Sequence, residues 1–102
     1  MPSLLHESLV ALFRNRPTLA PELLSGPLRV DVPSFSQAVV KAAELTEVTP
    51  TEYRADLVVL LRQGEPVLAI VVEVQLKRDT KKRWVWPAYL ATLRERMRCP
   101  AT

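Results

Sequence analysis

Two carboxylates, Asp56 and Glu73, lie inside the most apolar part of this 102-residue chain, the stretch YRADLVVLLRQGEPVLAIVVEVQLK over residues 53–77. An acid embedded in aliphatic sequence is costly unless something compensates its charge, so this pair is the first place to look for chemistry. Gln75 and Lys77 follow Glu73 at steps of two. In an extended chain such residues share a face and advance about 6.8 Å per step. An acid, an amide and an ammonium would then form one polar file next to a second acid. Paired carboxylates suit a hard cation, Mg²⁺ or Mn²⁺, which takes oxygen ligands and keeps several waters. Such an ion polarises a phosphate and lowers the pKa of an attacking water.

Whether Asp56 reaches Glu73 depends on the turn between them. Two apolar, β-branched runs, 55–61 and 67–76, flank Gln63-Gly64-Glu65-Pro66, which is a hairpin signal. A four-residue loop over 63–66 pairs Arg62 with Val67 and sets Asp56 directly opposite Glu73, with Cβ atoms about 5 Å apart. A two-residue loop pairs Asp56 with Val71 instead. An odd-length loop puts the acids on opposite faces unless a bulge intervenes. Without a ligand the same residues have a plainer role: Asp56 bonds neighbouring backbone or Arg54, and the polar file marks a strand emerging into solvent.

The elements that would position these groups follow from pattern. Residues 3–14 form a helix capped by Ser3, with Leu5, Leu9, Leu12 and Phe13 on one stripe. On that wheel His6 flanks the stripe, where it can border a cleft between helix and sheet, and Glu7 faces water. A second short helix spans 18–25, with Pro21 in its first turn and Gly26 at its end. Residues 27–35 read as loop. The span 37–48 is a strand that covers one edge of the hairpin, so 37–48, 54–62 and 67–77 make an antiparallel meander, both of whose faces are buried at its centre. A last helix starts near Pro87, since proline suits a first helical turn, or begins at Thr80 with a kink at Pro87. Its apolar stripe is Trp86, Leu90, Leu93 and Met97. A strand followed by a helix ordinarily returns to a parallel strand; that strand is missing here, which leaves a fragment or an open apolar edge.

Helix, three-strand meander with an acid in the second strand, Glu73-Val74-Gln75 in the third, then helix: this order resembles the PD-(D/E)XK nuclease superfamily. Within it the chain is similar to the recombination-promoting, transposase-associated group, which carries glutamine where most relatives have lysine. The resemblance spans nearly the whole chain and implies a single, truncated domain over 1–102 with an αβββα restriction-endonuclease-like core, of mixed α/β (α+β) class, lacking its fourth strand. It implies Mg²⁺- or Mn²⁺-dependent hydrolysis of DNA phosphodiesters, with Asp56 and Glu73 as metal ligands and Gln75 in the motif's third position. Lys77 would supply the missing positive charge, and His6 would be the extra group that some relatives draw from the first helix. Ala55 stands where the motif has proline. Arg83 and Tyr89 fall loosely on polar positions of the helix after the motif.

The basic cluster Lys77, Arg78, Lys81, Lys82 and Arg83, next to Trp84 and Trp86, would track a DNA backbone beside the acids, each neutralised phosphate adding about 0.9 to the logarithmic salt slope. Composition sets wider bounds. A chain that is 48% hydrophobic at this length buries one core, and a net charge of +3 permits a polyanionic partner without requiring it. The single cysteine, Cys99, excludes an internal disulfide and fits a reducing cytoplasm. No apolar run is long enough to span a bilayer. Two functions therefore compete: a metal-dependent nuclease, and a catalytically inactive interaction module that pairs, with another chain or with its own copy, through the open edge of the third strand.

Overall fold

The computed structural model describes residues 4–41, 56–75 and 82–102, apart from the side chains of 82–85. Its order is α1 (Leu4–Asn15), α2 (Leu19–Ser25), β1 (Gln37–Lys41), β2 (Leu57–Gln63), β3 (Glu65–Val72) and α3 (Lys82–Met97). The strands form one antiparallel sheet in the order β1-β2-β3, so the chain is a mixed α+β protein. The expected strand over 37–48 is present as Gln37–Lys41; its remainder lies outside the described residues.

Strand alternation sorts the core into two layers. Leu57, Val59 and Leu61 of β2 and Leu68, Ile70 and Val72 of β3 join Ala20, Phe13 and Leu24, the face covered by α1 and α2. Val58, Leu60 and Ala69 point the other way, onto Tyr89, Leu93 and Cys99, the face covered by α3 and the segment after it. Residues 57 to 61 are buried without exception, which is why β2 reads as a continuous aliphatic run. Each such side chain contributes about 1.5–3 kcal/mol by leaving water.

The hairpin reaches the expected register by an unexpected route. Its tip is tight, with Gln63 paired to Glu65 around Gly64, whose φ of 78° lies in the left-handed region that glycine alone enters freely. That odd turn would invert the faces, but the ladder shifts between Leu61 and Arg62: Arg62 pairs with Pro66 while Leu61 pairs with Leu68. Val67 is therefore bulged, and it packs on the α1/α2 face together with Leu68. From Leu61↔Leu68 to Leu57↔Val72 the rungs are regular, and one more step would oppose Asp56 to Glu73.

Three expectations about the helices and the edge are corrected. Helix α1 buries Val10 and packs Phe13, with His6 and Leu9 half-buried, whereas Leu5 and Leu12 are exposed. Its inward stripe is 6-9-10-13, as regular in helical spacing as the leucine stripe but rotated from it. Helix α3, Lys82–Met97, carries Pro87 inside, so the start near Pro87 gives way to the earlier of the two starts that the sequence allows. Proline forfeits one backbone hydrogen bond there, and beside it Trp86 stands edge-on to Tyr89, ring centroids 5.8 Å apart at 81°. The edge of β3 is not wholly open. After α3, Arg98 turns through a left-handed conformation (φ 57°) with its N–H bonded to the Arg94 carbonyl, a helix-ending geometry, and the chain returns to the sheet. Ala69 N–H donates to Pro100 O at 2.9 Å, Thr102 N–H to Ala69 O at 2.9 Å, and Val71 N–H to Thr102 O at 2.8 Å. The Ala69↔Ala101 bridge is parallel, a single rung in the position where a fourth strand was judged missing.

Candidate functional site

Asp56 and Glu73 sit just past the last rung of the hairpin, at the end opposite Gly64. There the ladder stops and side chains replace it. The Asp56 N–H donates to Glu73 Oε1 at 3.1 Å, and the Val74 N–H donates to Asp56 Oδ2 at 2.7 Å. Each acid thus accepts a backbone N–H from the opposite segment, which continues the strand pairing by one step and keeps the two acids adjacent.

His6 comes to the same place from α1. Its Nε2 is 3.1 Å from Asp56 Oδ2, and because a carboxylate only accepts, Nε2 carries the shared proton. The rotated face of α1 is what delivers it: with Phe13 packed on the sheet and Val10 buried, His6, one turn before Val10, reaches Asp56 at the start of β2. The side chains of His6 and Asp56 are 23% and 21% exposed, enough for solvent or a substrate to reach them. Glu7, one residue on, is 62% exposed and faces water as the helical wheel predicts.

Glu73 and Gln75 also line a cavity of about 510 Å³ with Val71, Trp86, Leu90 and Thr102. Residues 71, 73 and 75 therefore keep a common face although β3 itself ends at Val72. Gln75 is exposed. Lys77, Arg78 and Lys81 lie outside the described residues. Lys82 and Arg83 open α3, and their side chains lie outside them too. Tyr89, loosely matched to a polar position of the nuclease helix, is instead fully buried against Leu93 and the sheet. The cavity walls Trp86 and Leu90 read from sequence as core stripe; both are half-buried, and their spacing of four is the signal that sets them side by side on one helix face. The Val74 N–H was invisible to sequence reasoning, since any residue type supplies it.

Among the described residues no group of three or more His, Cys, Asp or Glu side chains is arranged to hold a metal ion. Mg²⁺ does not require one, since it is commonly held by one or two carboxylates plus waters. The bonds above engage Oδ2 of Asp56 and Oε1 of Glu73. The donor set is hard oxygen throughout, so the pair fits such a cation. Cys99 offers no competing chemistry: it is buried in the α3 layer, and burial pushes its thiol pKa up, away from the reactive thiolate.

Compared with known proteins, the chain matches no family model, no curated protein and no solved structure. Among the described residues, no helix is long and apolar enough to cross a membrane.

Proposed function

We propose that the chain is a Mg²⁺- or Mn²⁺-dependent DNA endonuclease of the PD-(D/E)XK kind, hydrolysing phosphodiester bonds at the open end of the β2–β3 hairpin. The observation that carries this reading is the Asp56–Glu73 pair, held adjacent by reciprocal backbone bonds, with Glu73 also lining a cavity of about 510 Å³. Two acids so placed repel unless a cation lies with them. A bound divalent cation would supply the Lewis acid for the phosphate and an acidified water.

The remaining work falls to the protein. Asp56 and Glu73 hold the ion, each already oriented by a main-chain N–H. His6 fixes the Asp56 carboxylate through Oδ2, and a partner of that kind is typically worth 10–100-fold in metal affinity or activity. Gln75, which lines the cavity beside Glu73, orients the attacking water, and Lys77, beyond it in sequence, offsets the charge that develops on the phosphate. The basic run Lys77, Arg78, Lys81, Lys82 and Arg83 draws in the DNA backbone.

A supercoiled plasmid provides the test. The intact chain is expected to nick it with Mg²⁺ or Mn²⁺ and to stop with EDTA, while Asp56→Asn and Glu73→Gln, close in shape, lose at least about a hundredfold in rate. Equal nicking by both variants would contradict the assignment.

A second reading has its own observation. The outer edge of β3 accepts a parallel segment, the chain's own residues 100–102, over one bridge only, and a strand of another chain that displaced this short segment would pair with the same edge. It requires no cation, and a chain that self-associates through this edge but binds no metal would favour it.

A further inference from the structure

We propose that the cavity beside the acid pair receives an unpaired nucleobase, so that the strand presented to Asp56 and Glu73 is single-stranded DNA. This rests on the nuclease reading and specifies its substrate. At about 510 Å³ the cavity is within the range of small-molecule sites. Its walls are of two kinds. Trp86 and Leu90, one turn apart on α3, supply an aromatic and an aliphatic surface, and the Trp86 indole is fixed by its edge-on contact with Tyr89. Gln75 and Glu73 supply an amide, which both donates and accepts, and a carboxylate acceptor. A planar heterocycle with polar edges matches that combination: its face stacks on the aromatic wall and its edge bonds to the amide.

The lining also argues against a phosphate in the cavity itself. Among the described lining residues the charged one is Glu73, an acid, which favours a neutral base over an anion as its neighbour in the cavity. Glu73 joins the two places, since it lines the cavity and accepts the Asp56 N–H. A base seated against Trp86 therefore brings its own phosphate to the acid pair. Inside a duplex both faces of a base are covered by its neighbours, so entry requires a base that is already unstacked.

The test compares three labelled oligonucleotides by fluorescence anisotropy with the intact chain in Ca²⁺: a single strand, an abasic strand of the same length, and the corresponding duplex. The single strand is expected to bind about tenfold or more tightly than the abasic strand, the usual worth of one stacked base. Trp86→Leu, which preserves apolar bulk, should erase that difference and leave abasic binding unchanged. Gln75→Ala, at an exposed position that does not threaten folding, should narrow it. Equal affinity for single and abasic strands, or a preference that survives Trp86→Leu, would overturn the pocket. The two readings fail separately. Mg²⁺-dependent nicking without base preference overturns the pocket and keeps the nuclease; base preference without cleavage of any DNA in Mg²⁺ keeps the pocket and overturns the nuclease.

Discussion

Asp56 serves two masters, a backbone N–H from Val74 and the imidazole of His6, through one oxygen. These bonds are the plainer sequence reading, an acid bonded to neighbouring backbone; the proposed catalytic role is separate, and the two are told apart by substitution. Asp56→Ala leaves the Val74 N–H without its acceptor, so it is expected to lower unfolding free energy by about 1–3 kcal/mol, measured by urea titration. Asp56→Asn, which retains an acceptor oxygen, should cost less while still abolishing cleavage. If both are neutral in stability, the Val74 bond does not form as described. Cys99 gives a pH test. Its thiol is raised by burial, so its folded pKa exceeds its unfolded one. The stabilisation is then complete below the unfolded value, about 8.5, and is lost as pH rises through the folded value. Stability should fall over that alkaline range, and Cys99→Ala should remove this part of the decline.

At the scale of elements, what was legible followed from redundancy of signal. Aliphatic, partly β-branched runs on either side of Gly64 announce β2 and β3, and Pro21 in the first turn and Gly26 at the C-cap mark α2. The register of Asp56 against Glu73 was also legible, though through a four-residue loop; the structure attains it with a tighter tip and the bulge at Val67, because burying Leu61 and Leu68 in one layer dominates the details of the turn. The face of α1 was not legible. Leucine is a strong hydrophobic marker, yet Leu5 and Leu12 face out while His6, Leu9, Val10 and Phe13 face in, since which of two equivalent stripes docks is decided by the sheet and not by the helix. Val10→Ala should accordingly cost about 1–3 kcal/mol and Leu12→Ala no more than about 0.5 kcal/mol by thermal or urea unfolding. The reverse order would mean that the leucine stripe is the inward one. Pro87 left two starts open for the last helix, and the structure takes the one with the proline inside.

Over the whole molecule, helices cover the sheet from both faces, α1 and α2 on one and α3 on the other, and the acid pair lies where β2 and β3 leave that cover. This arrangement explains how an acid survives in so apolar a stretch: Asp56 and Glu73 are placed past the last rung and not within it. The return of residues 100–102 to β3 was beyond sequence reasoning, since three residues hold no periodicity. It engages Ala69 and Val71, the groups that an edge-pairing partner would need. The account's central claim is that Asp56 and Glu73 together hold a divalent cation, and isothermal titration of Mn²⁺ or Mg²⁺ into the intact chain, Asp56→Asn and Glu73→Gln tests it most directly. One bound ion per chain, lost in both variants while their circular dichroism stays native, is the predicted result. A folded intact chain that takes up no ion, or variants that bind it as well as the parent, would contradict the claim.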